Sequence, residues 1–255
     1  MAVTIKSERE IDLMRTSCRL LEEVHDELGR FIKPGISTWD INKYGEQLIR
    51  ERNGIPNFLN YNGYPASICV SVNEEVVHGI PRKDRILMEG DIVSLDAGLI
   101  YKGYHSDAAR TYPVGTVAPE VQQLIDVTKQ SFFEGIKMAK AGNHLYDISN
   151  AIDDFIKPYG YGIVRDLVGH GIGTSLHEDP QIPNFRQHRR GIKLMPGMTL
   201  AIEPMINLGR YDVEWLDDDW TVVAEDGLPS AHYENTILIT EGEPEILTLS
   251  SGKDR

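Results

Sequence analysis

The chain has 255 residues, a formal net charge of −13 and a pI near 5.0, a length that fits one large domain or two small ones around a substantial core. That acidity argues against nucleic acid as a substrate, because no long basic stripe could neutralise phosphates, and the small cluster of Arg186, His188, Arg189, Arg190 and Lys193 reads as a solvated loop. Two cysteines, Cys18 and Cys69, are too few for a disulfide framework and fit a reducing cytoplasm. The start MAVTIKSERE has no apolar signal core, and no later stretch approaches the roughly 18 apolar residues of a membrane span.

Ser7 precedes a helical pattern of apolar Ile11, Leu13, Met14, Leu20, Leu21 and Val24 that fades near Gly29. A second helix is expected after Pro34 and Gly35, capped by Ser37 or Thr38 and running through Ile41, Tyr44 and Leu48 to stop by Gly54. Strand signals follow at residues 67–72, 92–100 and 104–114. Pro119 opens a third helix carrying Val121, Leu124, Ile125, Val127, Phe132 and Ile136 before Gly142, and a shorter helix covers 145–156. Strands at 199–206, 220–224 and 231–240 complete the pattern. Helices, strands, helices, strands is an α+β plan with antiparallel pairing. No linker separates the halves, so one compact domain over residues 1–255 is expected, built of pseudo-symmetric halves, about 1–115 and 116–255.

The halves repeat one another. Residues 87–96 read LMEGDIVSLD and residues 194–203 read LMPGMTLAIE, an offset of 107 that makes Asp96 and Glu203 equivalent positions. The same offset aligns Lys33, Gly35, Asp40, Ile41 and Ile49 with Lys140, Gly142, Asp147, Ile148 and Ile156. A duplicated unit delivering an acid from an apolar strand in each copy suggests a pseudo-symmetric site holding paired metal ions.

Asp96 and Asp107 lie on successive strands joined through Tyr101, Lys102 and Gly103, which suit a tight hairpin. A two-residue loop leaves both on one face, opposite or diagonal, about 5 to 8 Å apart, where they repel unless a cation or a shared proton intervenes. Alone, the pair also reads as a turn-proximal surface acid and a strand-end cap. Glu203, between Ile202 and Pro204, and Glu234, before Thr236, Ile237 and Leu238, tip the balance, since a lone ionised carboxylate in an apolar strand is costly. His170 and His177 fall in VGHGIGTSLHEDP, whose glycines allow close backbone approach. Gln181 stands where a zinc-protease helix would need its second histidine, so that motif is rejected. His78, in VNEEVVHGIP, would alone be an ordinary loop histidine; His25, His105, His144, His188 and His232 read as structural or surface residues.

The ordered set Asp96, Asp107, His170, Glu203 and Glu234, with His78 and His177, resembles the methionine aminopeptidases of the short bacterial kind, type I, over nearly the whole chain. SVNEEVVHGIP at 71–81 narrows the resemblance away from proline-directed relatives, as does a length too short for their extra N-terminal domain. It implies the pita-bread α+β fold and two divalent ions, with Asp96 on one, His170 and Glu203 on the other, and Asp107 and Glu234 bridging. Four carboxylates and one imidazole form a hard ligand set open to Co, Mn, Fe, Zn or Ni. Ions about 3.5 to 4 Å apart would activate a bridging hydroxide; Glu203 would move its proton, His177 would stabilise the tetrahedral intermediate and His78 would contact the scissile amide nitrogen. The family's methionine slot falls on Phe58, Tyr61, Tyr64, Cys69, Leu176 and Trp220, residues equally at home in a core. Many bacterial relatives have cysteine in place of Phe58 and phenylalanine in place of Leu176, which bears on pocket shape. Expected partners are the N-termini of newly made proteins, with the ribosome as a candidate contact, no membrane and no nucleic acid, for a chain expected to be monomeric. Two competing readings are an Xaa-Pro peptidase with the same metals and a binding module that keeps the fold without catalysis.

Overall fold

Among the described residues, each of the four α-helices begins where a local signal places it. In the computed structural model, which describes residues 3–249, Ser7 caps α1 (Glu8–Phe31) and its backbone N–H donates to the Glu10 carboxylate at 2.8 Å. Ser37 caps α2 (Thr38–Glu51) and accepts from the Asp40 N–H at 3.1 Å. Pro119 opens α3 (Pro119–Ile136), where its missing N–H costs nothing, and His144 caps α4 (Leu145–Ile156) with its N–H on Asp147.

The first half contributes strands β1 (Ile55–Pro56), β2 (Ile68–Val72), β3 (Glu75–Val77), β4 (Ile92–Tyr101) and β5 (Tyr104–Pro113). The second contributes β6 (Gly162–Ile163), β7 (Gly169–Gly171), β8 (Glu178–Ile182), β9 (Thr199–Ile202), β10 (Met205–Asn207), β11 (Val213–Trp215), β12 (Val222–Ala224), β13 (Ser230–His232), β14 (Glu234–Leu238) and β15 (Glu245–Ile246). The main sheet runs β1-β4-β5-β14-β9-β7-β8, with β2 on β4 and β15 on β14; smaller sheets run β13-β10-β6 and β11-β12-β3. Every strand pairing among the described residues is antiparallel. Two expectations need correction. The strand expected at 199–206 breaks after Ile202, because Pro204 has no N–H to continue the ladder, and the chain moves to a smaller sheet at β10. The strand expected at 231–240 breaks at Tyr233, whose N–H turns to Pro204 O at 3.1 Å, separating β13 from β14.

Alternation along the strands sorts oil from acid. Val93, Leu95, Ala97 and Leu99 of β4 pack with Leu21, Val24, Leu28, Ile41 and Ile49 of α1 and α2, which leaves Ser94, Asp96 and Gly98 on the opposite face. Leu200 and Ile202 of β9 and Ile237 of β14 likewise pack with Phe132, Ile148 and Ile152 of α3 and α4. Each half thus has its own helix-covered core, and a third apolar group, including Met14, Phe58, Cys69, Ile172, Leu176 and Leu238, draws on both.

The repeat is written into the hydrogen bonds. Gly35 N–H reaches Leu87 O and Gly142 N–H reaches Leu194 O, at 2.8 and 3.0 Å, and both glycines have φ +91°. The isolated bridges Ser37↔Ile86 and His144↔Lys193 also differ by 107 at both ends.

Candidate metal centre and active site

The β4–β5 hairpin turns through Lys102 (φ +49°) and Gly103 (φ +85°), pairing Tyr101 with Tyr104. Positive φ at both turn residues matches the strands' twist. That register puts Asp96 opposite Ala109 and Asp107 opposite Gly98, so the two acids are diagonal on one face. Ala109 in turn pairs with Glu234, which makes one row across three strands: Asp96, Ala109, Glu234. The neighbouring row holds Gly98 and Asp107, then Thr236, Ala201 and His170. Thr236 joins its parts, since its hydroxyl accepts from Asp107 N–H and donates to Asp107 O, at 3.2 and 2.9 Å. Glu203 follows the last residue of β9, one step past the Asn235↔Ile202 pair, and so comes up beside Glu234.

Asp107, His170 and Glu234 are buried, and one donor atom from each falls within 4.8 Å of the others. His170 Nε2 is 3.7 Å from both Asp107 Oδ2 and Glu203 Oε1. Its Nδ1 donates to Gly171 O at 2.8 Å, which fixes the tautomer and leaves the Nε2 lone pair facing the acids. Gly171 lies so close to the next strand that a Cβ would stand 2.2 Å from Asp179 O, so the loop beyond His170 tolerates no side chain there.

Electrostatics make the cluster expensive without a cation. Burial pushes the Asp96 carboxyl up to about 7. Burial, and then the neighbouring carboxylates, hold Asp107, Glu203 and Glu234 well above the ordinary range. Burial also pulls His170 down to about 3, so the imidazole is neutral and free to ligate. Asp96 Oδ1, Asp107 Oδ1 and Glu234 Oε1 are buried oxygens with no hydrogen-bond partner among the described residues. Orphaned hard oxygens converging beside an imidazole lone pair fit a divalent cation.

All the residues nominated from sequence line one cavity of about 210 Å³: the five acids and imidazoles, His78 and His177, and Phe58, Tyr61, Tyr64, Cys69, Leu176 and Trp220. Sites for drug-sized ligands run from roughly 300 Å³ upward, so this cavity suits a single residue better than an extended chain. Tyr61 OH and His177 Nδ1 are 2.7 Å apart, and the His177 ring stands edge-on to His170 with centroids 4.3 Å apart. Opposite, Tyr64 OH donates to Gly79 O at 2.8 Å, and Trp220 stands edge-on to both Tyr64 and His78. Asp218 holds Trp220 in place by accepting from the N–H groups of Trp220 and Thr221. His78 itself has φ +59°, a region that non-glycine residues seldom occupy, and Gly79 N–H beside it is bound by Ser71 Oγ at 3.1 Å. Burial lowers His78 to about 4 and also lowers His177, so both rings are neutral near pH 7.

Two neighbours of the site escaped the sequence reading. Asn62, in a left-handed turn (φ +50°) after Tyr61, also lines the cavity. His232, read from sequence as structural or surface, lies buried with Nε2 3.8 Å from Glu203 Oε2. The two-residue period of strands was the available signal, because His232 stands two before Glu234.

The chain is similar to known proteins over nearly its whole length. The profile of metallopeptidase family M24 matches residues 12–241. A methionine aminopeptidase of Clostridium acetobutylicum is 51% identical over 97% of this chain and 99% of its own length. The crystal structure of a methionine aminopeptidase from Thermotoga maritima superposes with a TM-score of 0.95 at 43% identity, covering 98% of this chain and all of that one. An Xaa-Pro dipeptidase from Bacillus anthracis is more distant, with a TM-score of 0.79 at 25% identity over 96% of this chain and only 62% of its own. On that combined footing the chain belongs to metallopeptidase family M24, within its methionine aminopeptidase group.

Proposed function

We propose that this metallopeptidase hydrolyses the first peptide bond of methionine-initiated proteins and peptides whose second residue is small, and that it works as one catalytic domain shared by both halves. The observation that supports this most is the set of partnerless oxygens of Asp96, Asp107 and Glu234 beside His170 Nε2, at the base of a one-residue cavity. Two divalent ions would be held there, Asp96 serving one, His170 and Glu203 the other, and Asp107 and Glu234 reaching both. When bound, such ions polarise a carbonyl and bring the pKa of water from about 15.7 towards 7.

The chain's own groups do the rest. Glu203 takes the proton of the attacking water and passes it to the leaving amine. Tyr61 O–H donates to His177 Nδ1, which leaves the ring's proton on Nε2 to meet the developing oxyanion. His78, from the other side, contacts the scissile amide nitrogen. Phe58, Tyr61, Tyr64, Cys69, Leu176 and Trp220 take the methionine side chain, and a bulky second residue would crowd His78 and His177. Cys18 and Cys69 are free and buried, which suits a reducing cytoplasm, and among the described residues no helix is long and apolar enough to cross a membrane. Newly made chains near the ribosome are the proposed substrates, met by a monomer.

Release of free methionine from Met-Ala-Ser, with and without chelator, tests the reading. Chelator should stop release, and added Co(II) or Mn(II) should restore it. Peptides beginning Met-Ala, Met-Lys and Leu-Ala, compared by kcat/KM, test the slot. Comparable turnover of all three would leave a metallopeptidase without methionine specificity, and cleavage of Gly-Pro but not Met-Ala peptides would favour the proline-directed alternative.

A further inference from the structure

His232 is 1% exposed, and among the described residues neither of its ring nitrogens has a partner. Buried polar atoms are rarely left so, which makes an idle imidazole at this depth worth explaining. The pairing of Met205 with His232 brings it back alongside the chain just after Glu203 and Pro204. Its backbone is clamped from the first half of the molecule: Thr111 Oγ1 accepts from His232 N–H and donates to His232 O, both at 2.9 Å. The ring is therefore aimed by two strands.

What it is aimed at is the far side of Glu203. That carboxylate lies between two imidazoles, with Oε1 3.7 Å from His170 Nε2 and Oε2 3.8 Å from His232 Nε2. His170 presents a lone pair, because its proton is on Nδ1; His232 is free to present an N–H. On its other side His232 lines a second cavity of about 350 Å³, together with His25, Arg110 and Tyr233, which shares no lining residue with the substrate cavity. At about 30 Å³ per molecule that space has room for several waters beside the ring.

We propose that His232 is a positioning residue for Glu203: its Nε2–H steadies Oε2, so that Oε1 stays turned towards His170 and the reacting water. At 3.8 Å the contact is too long for a hydrogen bond, and a contraction of about 1 Å on assembly of the loaded site completes it, as catalytic hydrogen bonds commonly tighten in the working complex. The proposal rests on the reading of Glu203 as a metal ligand that moves a proton.

The test compares two amides of different reach in the full-length chain. Glutamine at 232 places an N–H where His232 Nε2 stands, whereas asparagine stops near Nδ1. Co(II) is titrated calorimetrically into metal-free protein without substrate, and kcat and KM are measured on Met-Ala-Ser. His232→Asn should bind Co(II) about 10 to 100-fold more weakly, the usual range for losing a group that supports a metal ligand, and lose at least about tenfold in kcat with KM changed less than about threefold. His232→Gln should stay within about threefold of the parent in Co(II) affinity and in kcat. The proposal is overturned if His232→Asn matches the parent, or if His232→Gln is as impaired as His232→Asn, which would mean that ring volume matters and the N–H does not. His232→Gln decides alone should the asparagine variant fail to fold, since a tenfold loss in it refutes the role. Failure of the underlying reading shows separately, as Glu203→Gln retaining near-parental turnover.

Discussion

The first and second halves share one frame and furnish it differently. Both have a helix pair under the sheet, a glycine at φ +91° before the second helix, and an apolar strand that ends its repeat on a carboxylate. The first half then turns in two residues, so that Asp96 and Asp107 are eleven apart; the second leaves the main sheet after Glu203 and returns thirty-one residues later at Glu234. That detour carries Trp220 to the cavity above the acids and His232 behind Glu203. The pairings show a second divergence. Ser71 faces Ser94 on β2 and β4, and His170 faces Ala201 on β7 and β9, with Ser94 and Ala201 again 107 apart. Where the second copy offers the imidazole proposed to bind metal, the first has a serine spent on the Gly79 N–H. Seven residues beyond each of these positions stands a histidine, His78 in one half and His177 in the other. Duplication explains the paired acids and the paired histidines, and divergence at a few positions gives the two sides different chemical tasks.

The sharpest way to break this comparison is to strike equivalent positions. Glu203→Gln should fold but lose about 100 to 10,000-fold in kcat, the usual contribution of general acid–base catalysis, and a loss under about tenfold would remove Glu203 from its proposed role. His170→Ala should also abolish metal-dependent turnover, whereas Ser71→Ala, at the matching register, should lose less than about tenfold, the worth of one net hydrogen bond. Equal losses at 71 and 170 would mean that the halves contribute alike.

His177 and the tyrosine bound to it come next. His177→Ala should cost about 100 to 1,000-fold in kcat, as removal of an oxyanion donor does. Tyr61→Phe, which only frees His177 Nδ1, should cost about tenfold. A Tyr61→Phe enzyme with unchanged kcat would show that the hydroxyl does not orient the ring.

Stability against pH gives a smaller effect with a definite sign. Asp107, Glu203 and Glu234 have raised pKa values in the metal-free fold. Their contribution is therefore complete below the unfolded carboxylate range and is lost as pH rises through the folded values. His25, His78, His170 and His232 are depressed to between about 3 and 4, so they add their stability above 6.5 and lose it only on acidification. Between pH 7 and 9 the carboxyls act in the same direction as the thiols of Cys18 and Cys69, which burial also raises, and the melting temperature of metal-free protein should fall. Saturating Co(II) should flatten that slope, because ligation displaces the protons. A metal-free protein that grows more stable from pH 7 to 9 would contradict the carboxylate cluster.

The smallest effect probes the frame alone. Gly35→Ala and Gly142→Ala meet no atom within 4 Å, so each should pay only the backbone penalty of left-handed φ, about 1 to 2 kcal/mol, and lower the melting temperature by a few degrees. Unequal costs would show that the two copies no longer load that turn alike.

The helices were legible because their ends are chemical: Ser7, Ser37 and Pro119 each announce a start, and α4 runs over the expected residues. The long hairpin was legible because Lys102–Gly103 demands positive φ. The second half was harder. β7 is Gly-His-Gly and β8 is Glu-Asp-Pro-Gln-Ile, neither of which has strand composition, and both owe their pairing to neighbours rather than propensity. The sheet changes at Pro204 and Tyr233 are tertiary events inside apolar runs that read as single strands. The acids stood out because carboxylates are conspicuous in oil, whereas His232 did not, since a lone histidine in a strand is usually structural; only the pairing with Met205 reveals what it faces.

The most direct test of a metal centre shared by both halves is an anomalous-difference map from crystals soaked in Mn(II). Density between Asp107, Glu234 and His170 is expected, with Asp96 and Glu203 reaching ions in the same cluster, so that ligands from β4 and β5 meet ligands from β7, β14 and the residue just after β9. Manganese bound elsewhere, or held by one half alone with the other half's carboxylates turned away, would contradict it.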